Sequence, residues 1–78
     1  MKHIKVLGTG CANCRNLEKM VRNTVENMKI DATVEKEEDI MKIIAYGVRR
    51  TPALVIDDKV VLYGRVPSEK ELIGLLTM

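Results

Sequence analysis

Cys11 and Cys14, the two cysteines of the chain, stand three positions apart in the stretch Leu7-Gly8-Thr9-Gly10-Cys11-Ala12-Asn13-Cys14. This is the point where a β-type run gives way to a helical one. If Cys11 caps the helix and Cys14 lies one turn inside it, their side chains share a face about 5–6 Å apart at Cβ, and the irregular cap lets them close to disulfide distance. A pair so placed can open and close a disulfide. The first turn of a helix has N–H groups without partners and a partial positive charge of roughly +0.5, which favours an anion such as a thiolate. A free cysteine of pKa about 8.5 is only ~3 % ionised at pH 7, whereas one lowered to about 7 in a Cys-X-X-Cys pair is half ionised. Cys11 is therefore the expected nucleophile. Cys14, deeper and facing the core, is expected to stay protonated until it resolves a mixed disulfide.

The elements that must position this pair follow from periodicity. His3 to Leu7 alternates and is β-branched, so it reads as a strand that the glycines end. From Ala12 to about Met28 the apolar residues Leu17, Met20, Val21, Val25 and Met28 recur at three and four, the spacing of an amphipathic helix. Ile30 to Glu35 makes a second strand, parallel to the first because a crossover helix separates them. Glu37-Glu38-Asp39 opens a short helix whose buried face is expected to be Ile40, Ile43 and Ile44, with Gly47 as its stop. Ala53 to Ile56 is a continuous apolar run, a buried strand. Asp57-Asp58-Lys59 turns it into an antiparallel partner, Val60 to Tyr63. Ser68 and Glu71 have capping-box spacing, and Leu72, Ile73, Leu75 and Leu76 give the closing helix its stripe. The expected class is α/β in the order βαβαββα, a four-stranded mixed sheet with three helices forming one domain over residues 1–78.

Composition narrows the function. With 78 residues, 46 % hydrophobic and 31 % charged, the chain reads as a globular domain with a thin core. The net charge is +2, from 13 basic and 11 acidic residues, and no basic block alternates with aromatics, so nucleic-acid binding is not expected. No apolar run approaches the roughly 20 residues of a membrane span, and Gly8-Thr9-Gly10 interrupts the start before a signal peptide's apolar region could form. The expectation is a cytoplasmic monomer without membrane attachment. In a reducing compartment a lone close pair of cysteines is catalytic or metal-binding rather than a structural bridge.

Further residues in the sequence carry the resemblance to a family. Gly-Thr-Gly-Cys-x-x-Cys at residues 8–14, Tyr46-Gly47-Val48 followed by Thr51-Pro52-Ala53-Leu54-Val55-Ile56, and Gly64-Arg65-Val66-Pro67-Ser68 together resemble the thioredoxin-like superfamily, especially its small thioredoxin/glutaredoxin-like members of the redox-active disulfide protein 2 type. The resemblance implies a minimal thioredoxin-like fold and a thiol–disulfide oxidoreductase with Cys11 as nucleophile and Cys14 as resolving thiol. It also implies a cis peptide bond at Pro52 and backbone pairing of the substrate at Thr51. Arg15, Arg50 and, by family position, Lys36 are the residues expected to help ionise the thiolate. The family's buried acid falls near Lys5 here, and its Gly-Pro between the cysteines is Ala12-Asn13.

No cofactor is implied. The expected partners are a protein disulfide and a disulfide reductase. Gly64 is followed by Arg65-Val66-Pro67 where glutaredoxins hold glutathione with a Gly-Gly pair, so a polypeptide is expected along an edge rimmed by Val48, Ala12 and Thr51. Two other readings use the same cysteines. One is a soft-metal carrier, since two thiolates suit Cu(I), although such domains end on a strand. The other is a partner-binding module whose dithiol senses redox state without turnover. His3 reads as a solvated edge residue, Met20, Met28 and Met41 as core filling, and Tyr46 and Tyr63 as packed rings with outward hydroxyls.

Overall fold

The computed structural model describes residues 2–77. Its elements are β1 (Lys2–Leu7), α1 (Ala12–Asn27), β2 (Ala32–Glu37), α2 (Ile40–Ala45), β3 (Ala53–Ile56), β4 (Lys59–Tyr63) and α3 (Glu69–Leu76), in the expected order. The strands form one sheet in the order β2-β1-β3-β4. β1 pairs parallel with β2 and antiparallel with β3, and β3 pairs antiparallel with β4. β1 is thus an interior strand, and the cysteine stretch leaves its end from the middle of the sheet.

Alternation along the strands divides the core in two. Ile4, Val6, Leu54, Ile56 and Leu62 meet Leu17 and Val21 of α1 and Leu72 and Leu76 of α3. On the other face Leu7, Ala53 and Val55 meet Ile43 of α2 and Val48. All four residues of β3 are buried, which is why that run shows no alternation. Asp57 and Asp58 take φ of 50° and 67°, the left-handed pair that a two-residue hairpin turn requires. Asp57 also ties the hairpin to β1: its Oδ1 accepts from the His3 N–H at 2.9 Å, and its N–H donates to the His3 carbonyl at 2.8 Å. His3 is exposed as expected, but on an interior strand rather than an edge.

The second strand begins two residues later than expected, at Ala32. The reason is the way α1 ends. Lys29 adopts φ 52°, its N–H donates to the Glu26 carbonyl at 3.2 Å, and the Ile30 N–H donates to the Val25 carbonyl at 3.0 Å. This is a Schellman cap, and it consumes the backbone of Ile30 that a strand would have used. Such caps favour glycine, and a lysine in that position gives no sequence signal.

The short helix also departs from expectation. Asp39 caps α2 as its charge suggested, with Oδ1 accepting from the Met41 N–H at 2.9 Å. Of its three isoleucines, however, only Ile43 is buried, while Ile40 and Ile44 are 59 % and 58 % exposed. Val48 and the half-buried Tyr46 take the space beside Ile43. Met41 and Met28, expected in the core, are exposed as well. The Tyr46 hydroxyl does not point to solvent unpaired: it accepts from Lys5 Nζ at 3.2 Å, which holds that ammonium above its ordinary range.

Only half of the capping box forms at α3. Ser68 Oγ accepts from the Glu71 N–H at 3.1 Å, but the Glu71 carboxylate turns to Arg65 and accepts from both guanidinium nitrogens at 2.7 and 2.6 Å. The strength of a two-pronged charged pair over a single backbone N–H explains the choice. The pair ties the segment after Gly64 to α3.

Two outcomes are expected from this packing. Leu17→Ala, which empties a site with no exposure, should cost about 2–5 kcal/mol of stability in a denaturant titration. Ile44→Ala should change it by no more than about 0.5 kcal/mol. Secondly, Arg65 lowers the Glu71 carboxyl from its ordinary 4.5, chiefly through the side-chain hydrogen bond. A carboxyl whose folded value is depressed contributes stability that is complete above its unfolded value and lost as pH falls through the folded one. Arg65→Met should therefore flatten the acid side of the stability curve below about pH 4.5, and a carbon-detected titration of Glu71 should move upward.

Candidate active site

The site is assembled where β1 hands over to α1. Cys11 is the N-cap of α1, with φ −67° and ψ 163°, and its Sγ accepts from the Cys14 N–H at 3.1 Å. A sulfur at this position faces the unpaired N–H groups of the first turn, the environment that favours a thiolate. Cys11 and Cys14 are joined as a disulfide with Cα atoms 5.0 Å apart. The pair is asymmetric. Cys11 is exposed and Cys14 is 5 % exposed, lying on the inner side of the first turn.

The room for Cys14 comes from Gly8. A Cβ at position 8 would stand 2.8 Å from the Cys14 Cβ, closer still to its Sγ, and 3.9 Å from the Cβ of Thr51. Gly8 is therefore the place where strand, helix and the Thr51 loop converge, and only the absence of a side chain lets the buried sulfur sit there. From the sequence Gly8 reads as a strand terminator. Nothing local distinguishes a glycine that ends a strand from one that makes space for a sulfur, because the neighbour it accommodates is six residues away and placed by the helix.

The peptide bond between Thr51 and Pro52 is cis. Pro52 is buried, its carbonyl accepts from the Gly64 N–H at 2.9 Å, and Thr51 is exposed beside Gly8. Ala12 is exposed in the first turn of α1. Val48 is 5 % exposed, so it floors the site instead of rimming it. A groove of about 660 Å³ opens alongside, lined by Thr9, Ile40, Ile43, Ile44, Gly47, Val48, Arg49 and Thr51. The two isoleucines expected in the core face this groove.

The three cations suggested as thiolate partners have different surroundings. The Arg15 guanidinium donates to the Gly10 carbonyl at 2.9 Å, which folds it back over the loop that carries Cys11. Lys36 Nζ pairs with Glu38 Oε1 at 3.3 Å, and both line a small hollow that Cys14 also lines. Arg50 packs its aliphatic carbons on Gly64, where a Cβ would stand 3.5 Å from its own. Arg15 and Lys36 are thus brought to the cysteine loop. Glu38, which the sequence offered only as part of an acidic helix start, is brought there with them. Among the described residues, no three His, Cys, Asp or Glu side chains gather in a way that could hold a metal ion.

Comparison with known proteins agrees with this geometry. The model of a family described as Thioredoxin domain matches residues 2–77. The chain is similar to a thioredoxin of Methanothermobacter thermautotrophicus, 39 % identical over 77 residues that cover 99 % of this chain and 100 % of that protein. It is similar to a thioredoxin of Methanocaldococcus jannaschii, 38 % identical over 69 residues covering 88 % of this chain and 79 % of the relative. A probable thioredoxin of Archaeoglobus fulgidus is 35 % identical over 69 residues, covering 85 % and 75 %.

Gly8→Ala tests the packing of the site. An added methyl beside a buried sulfur should cost about 1–3 kcal/mol. The cost should be larger in the oxidised protein, where the bonded sulfur cannot rotate away. The reduction potential should then become less negative by about 30 mV for each 1.4 kcal/mol of the difference. Equilibration against a glutathione redox buffer measures it.

Proposed function

The chain belongs to the thioredoxin domain family, and from that membership we propose that Cys11 attacks protein disulfides and Cys14 releases them. The protein is a thiol–disulfide oxidoreductase. The observation that carries the division of labour is the asymmetry of the pair: Cys11 caps α1 in the open, and Cys14 is buried against Gly8.

The chemistry follows from that placement. In the reduced protein the Cys11 thiolate, held by the Cys14 N–H and the helix terminus, attacks one sulfur of a substrate disulfide. A bond forms between Cys11 and that sulfur, and the other substrate sulfur leaves as a thiolate that takes up a proton. Cys14, once deprotonated, attacks Cys11 Sγ. The Cys11–Cys14 bond forms, the mixed disulfide breaks, and the substrate leaves with its second thiol. Two electrons have moved from the protein dithiol to the substrate. A disulfide reductase of unspecified kind returns them.

The groove supports a polypeptide as the substrate. It runs beside Thr51 and Thr9 and presents Ile40 and Ile44, an apolar wall that suits side chains of an extended segment. Thr51, exposed before the buried Pro52, supplies backbone groups to pair with such a segment. Ala12 bounds the approach to Cys11 without obstructing it. Arg15 is the cation best placed to favour the Cys11 thiolate, because its guanidinium is fixed on the Gly10 carbonyl next in sequence.

Cys11→Ser should abolish reduction of a small protein disulfide, whereas Cys14→Ser should still attack and then accumulate as a mixed disulfide visible by mass spectrometry. Equal alkylation of the two thiols near pH 7 would overturn the assignment. A glutathione mixed disulfide should be turned over more slowly than the protein disulfide, and the reverse order would move the substrate to the glutathione side.

A further inference from the structure

The groove beside Thr51 carries a charge as well as an apolar wall. Ile40 and Ile44 of α2 line it, and so does Arg49 from the loop before Pro52. Arg49 is exposed, and among the described residues its guanidinium has no hydrogen-bond or ion-pair partner. The next residue, Arg50, lies against Gly64 instead and is not part of the lining.

No carboxylate lines the groove to answer that cation. The three acidic residues that precede α2 are engaged elsewhere. Glu37 pairs with Lys42 at 3.9 Å, and Glu38 pairs with Lys36 at 3.3 Å. Asp39 caps the helix by accepting from the Met41 N–H at 2.9 Å. The groove therefore presents two isoleucines and a cation that the described residues leave unmatched.

The ligand complementary to such a surface has an aliphatic side chain and a carboxylate on one face. The planar fork of arginine suits a carboxylate in particular, since it can donate to both oxygens at once. The chain shows this pairing elsewhere, where Arg65 donates to both Glu71 oxygens at 2.7 and 2.6 Å with both groups partly exposed. In an extended segment, residues two apart share a face. A segment with an aliphatic residue and an aspartate or glutamate at alternate positions meets both demands.

We propose that Arg49 makes this oxidoreductase select disulfides in acidic polypeptide segments. The carboxylate pairs with the Arg49 guanidinium while an aliphatic side chain two residues away rests on Ile40 and Ile44. The inference rests on the reading of the groove as the polypeptide site. Arg49 does not touch the reacting sulfurs, so it acts on the concentration of substrate needed for half the maximal rate and leaves the rate at saturation alone.

The probes are disulfide-linked homodimers of a short peptide with one central cysteine. On each side of the cysteine the peptide carries isoleucine and, two positions away, glutamate, glutamine or lysine. Fully reduced protein is mixed with excess peptide, quenched with acid and resolved by chromatography. The salt concentration is about 0.1 M, where screening over ~10 Å leaves only nearby charges effective. The glutamate peptide should half-saturate the wild-type protein at a concentration about three- to fivefold lower than the glutamine peptide, as an exposed ion pair allows, and the lysine peptide at a higher one. Arg49→Gln should remove the preference, and Arg49→Glu should reverse it in favour of lysine. Lys70→Glu makes the same change of net charge on an exposed residue of α3, and it should keep the wild-type order. Each comparison is a ratio between peptides on one protein, so a change in stability cancels.

Equal half-saturation by the three peptides overturns the proposal. A preference that survives Arg49→Glu does so too, as does one that Lys70→Glu also abolishes. Reduction of every peptide more slowly than a glutathione mixed disulfide would instead bring down the polypeptide reading of the groove, and the selection by Arg49 with it.

Discussion

The sulfur of Cys14 fills the space in which any side chain at position 8 would stand, and the rest of the site depends on that close approach of helix to strand. Because β1 is an interior strand, Leu7 is paired on both sides, with Glu37 of β2 and Ala53 of β3, and the Gly8 N–H that follows donates to the Glu37 carbonyl at 2.9 Å. The helix that follows must then place Cys14 against Gly8 and leave Cys11 at the open cap. One thiol is exposed to a partner and to the helix terminus, and the other is shielded. Thr51 reaches the same point from the loop before β3, its Cβ 3.9 Å from where a Gly8 side chain would begin.

The two faces of the sheet are covered unequally. α1 and α3 cover one face with long apolar stripes and make the larger cluster. α2, only six residues long, covers the other with Ile43 and leaves Ile40 and Ile44 on a groove. The fold thus forgoes some apolar burial on the α2 side, where exposed isoleucines at about 25 cal/mol per Å² represent stabilisation not taken, and leaves an apolar groove open there.

Much of the fold was legible in the sequence because its signals are local. The 3.6-residue spacing of Leu17, Val21 and their neighbours, the unbroken Ala53–Ile56 run, the Asp57-Asp58 turn and the Ser68 cap each report on backbone within a few residues. The boundary of β2 was not legible, since Lys29 takes a conformation usually left to glycine and the Schellman cap it completes has no residue signature. Nor was the second half of the capping box, where Glu71 prefers a guanidinium brought by the chain before α3.

By itself the sequence determined the element order, the cysteine pair at a strand-to-helix junction, and the dithiol chemistry such a junction favours, because spacing along a helix translates directly into which side chains share a face. Only the tertiary structure decided that Gly8 is vacated for a sulfur, that Val48 and Ile43 are buried while Ile40 and Ile44 are not, and that Lys36 and Glu38 stand beside Cys14. Those facts depend on parallel pairing of β1 with β2 and on the angle at which α1 leaves the sheet. Contacts between residues on different elements are set by packing and by the balance of burial across the whole core, and no local pattern of residue types encodes them.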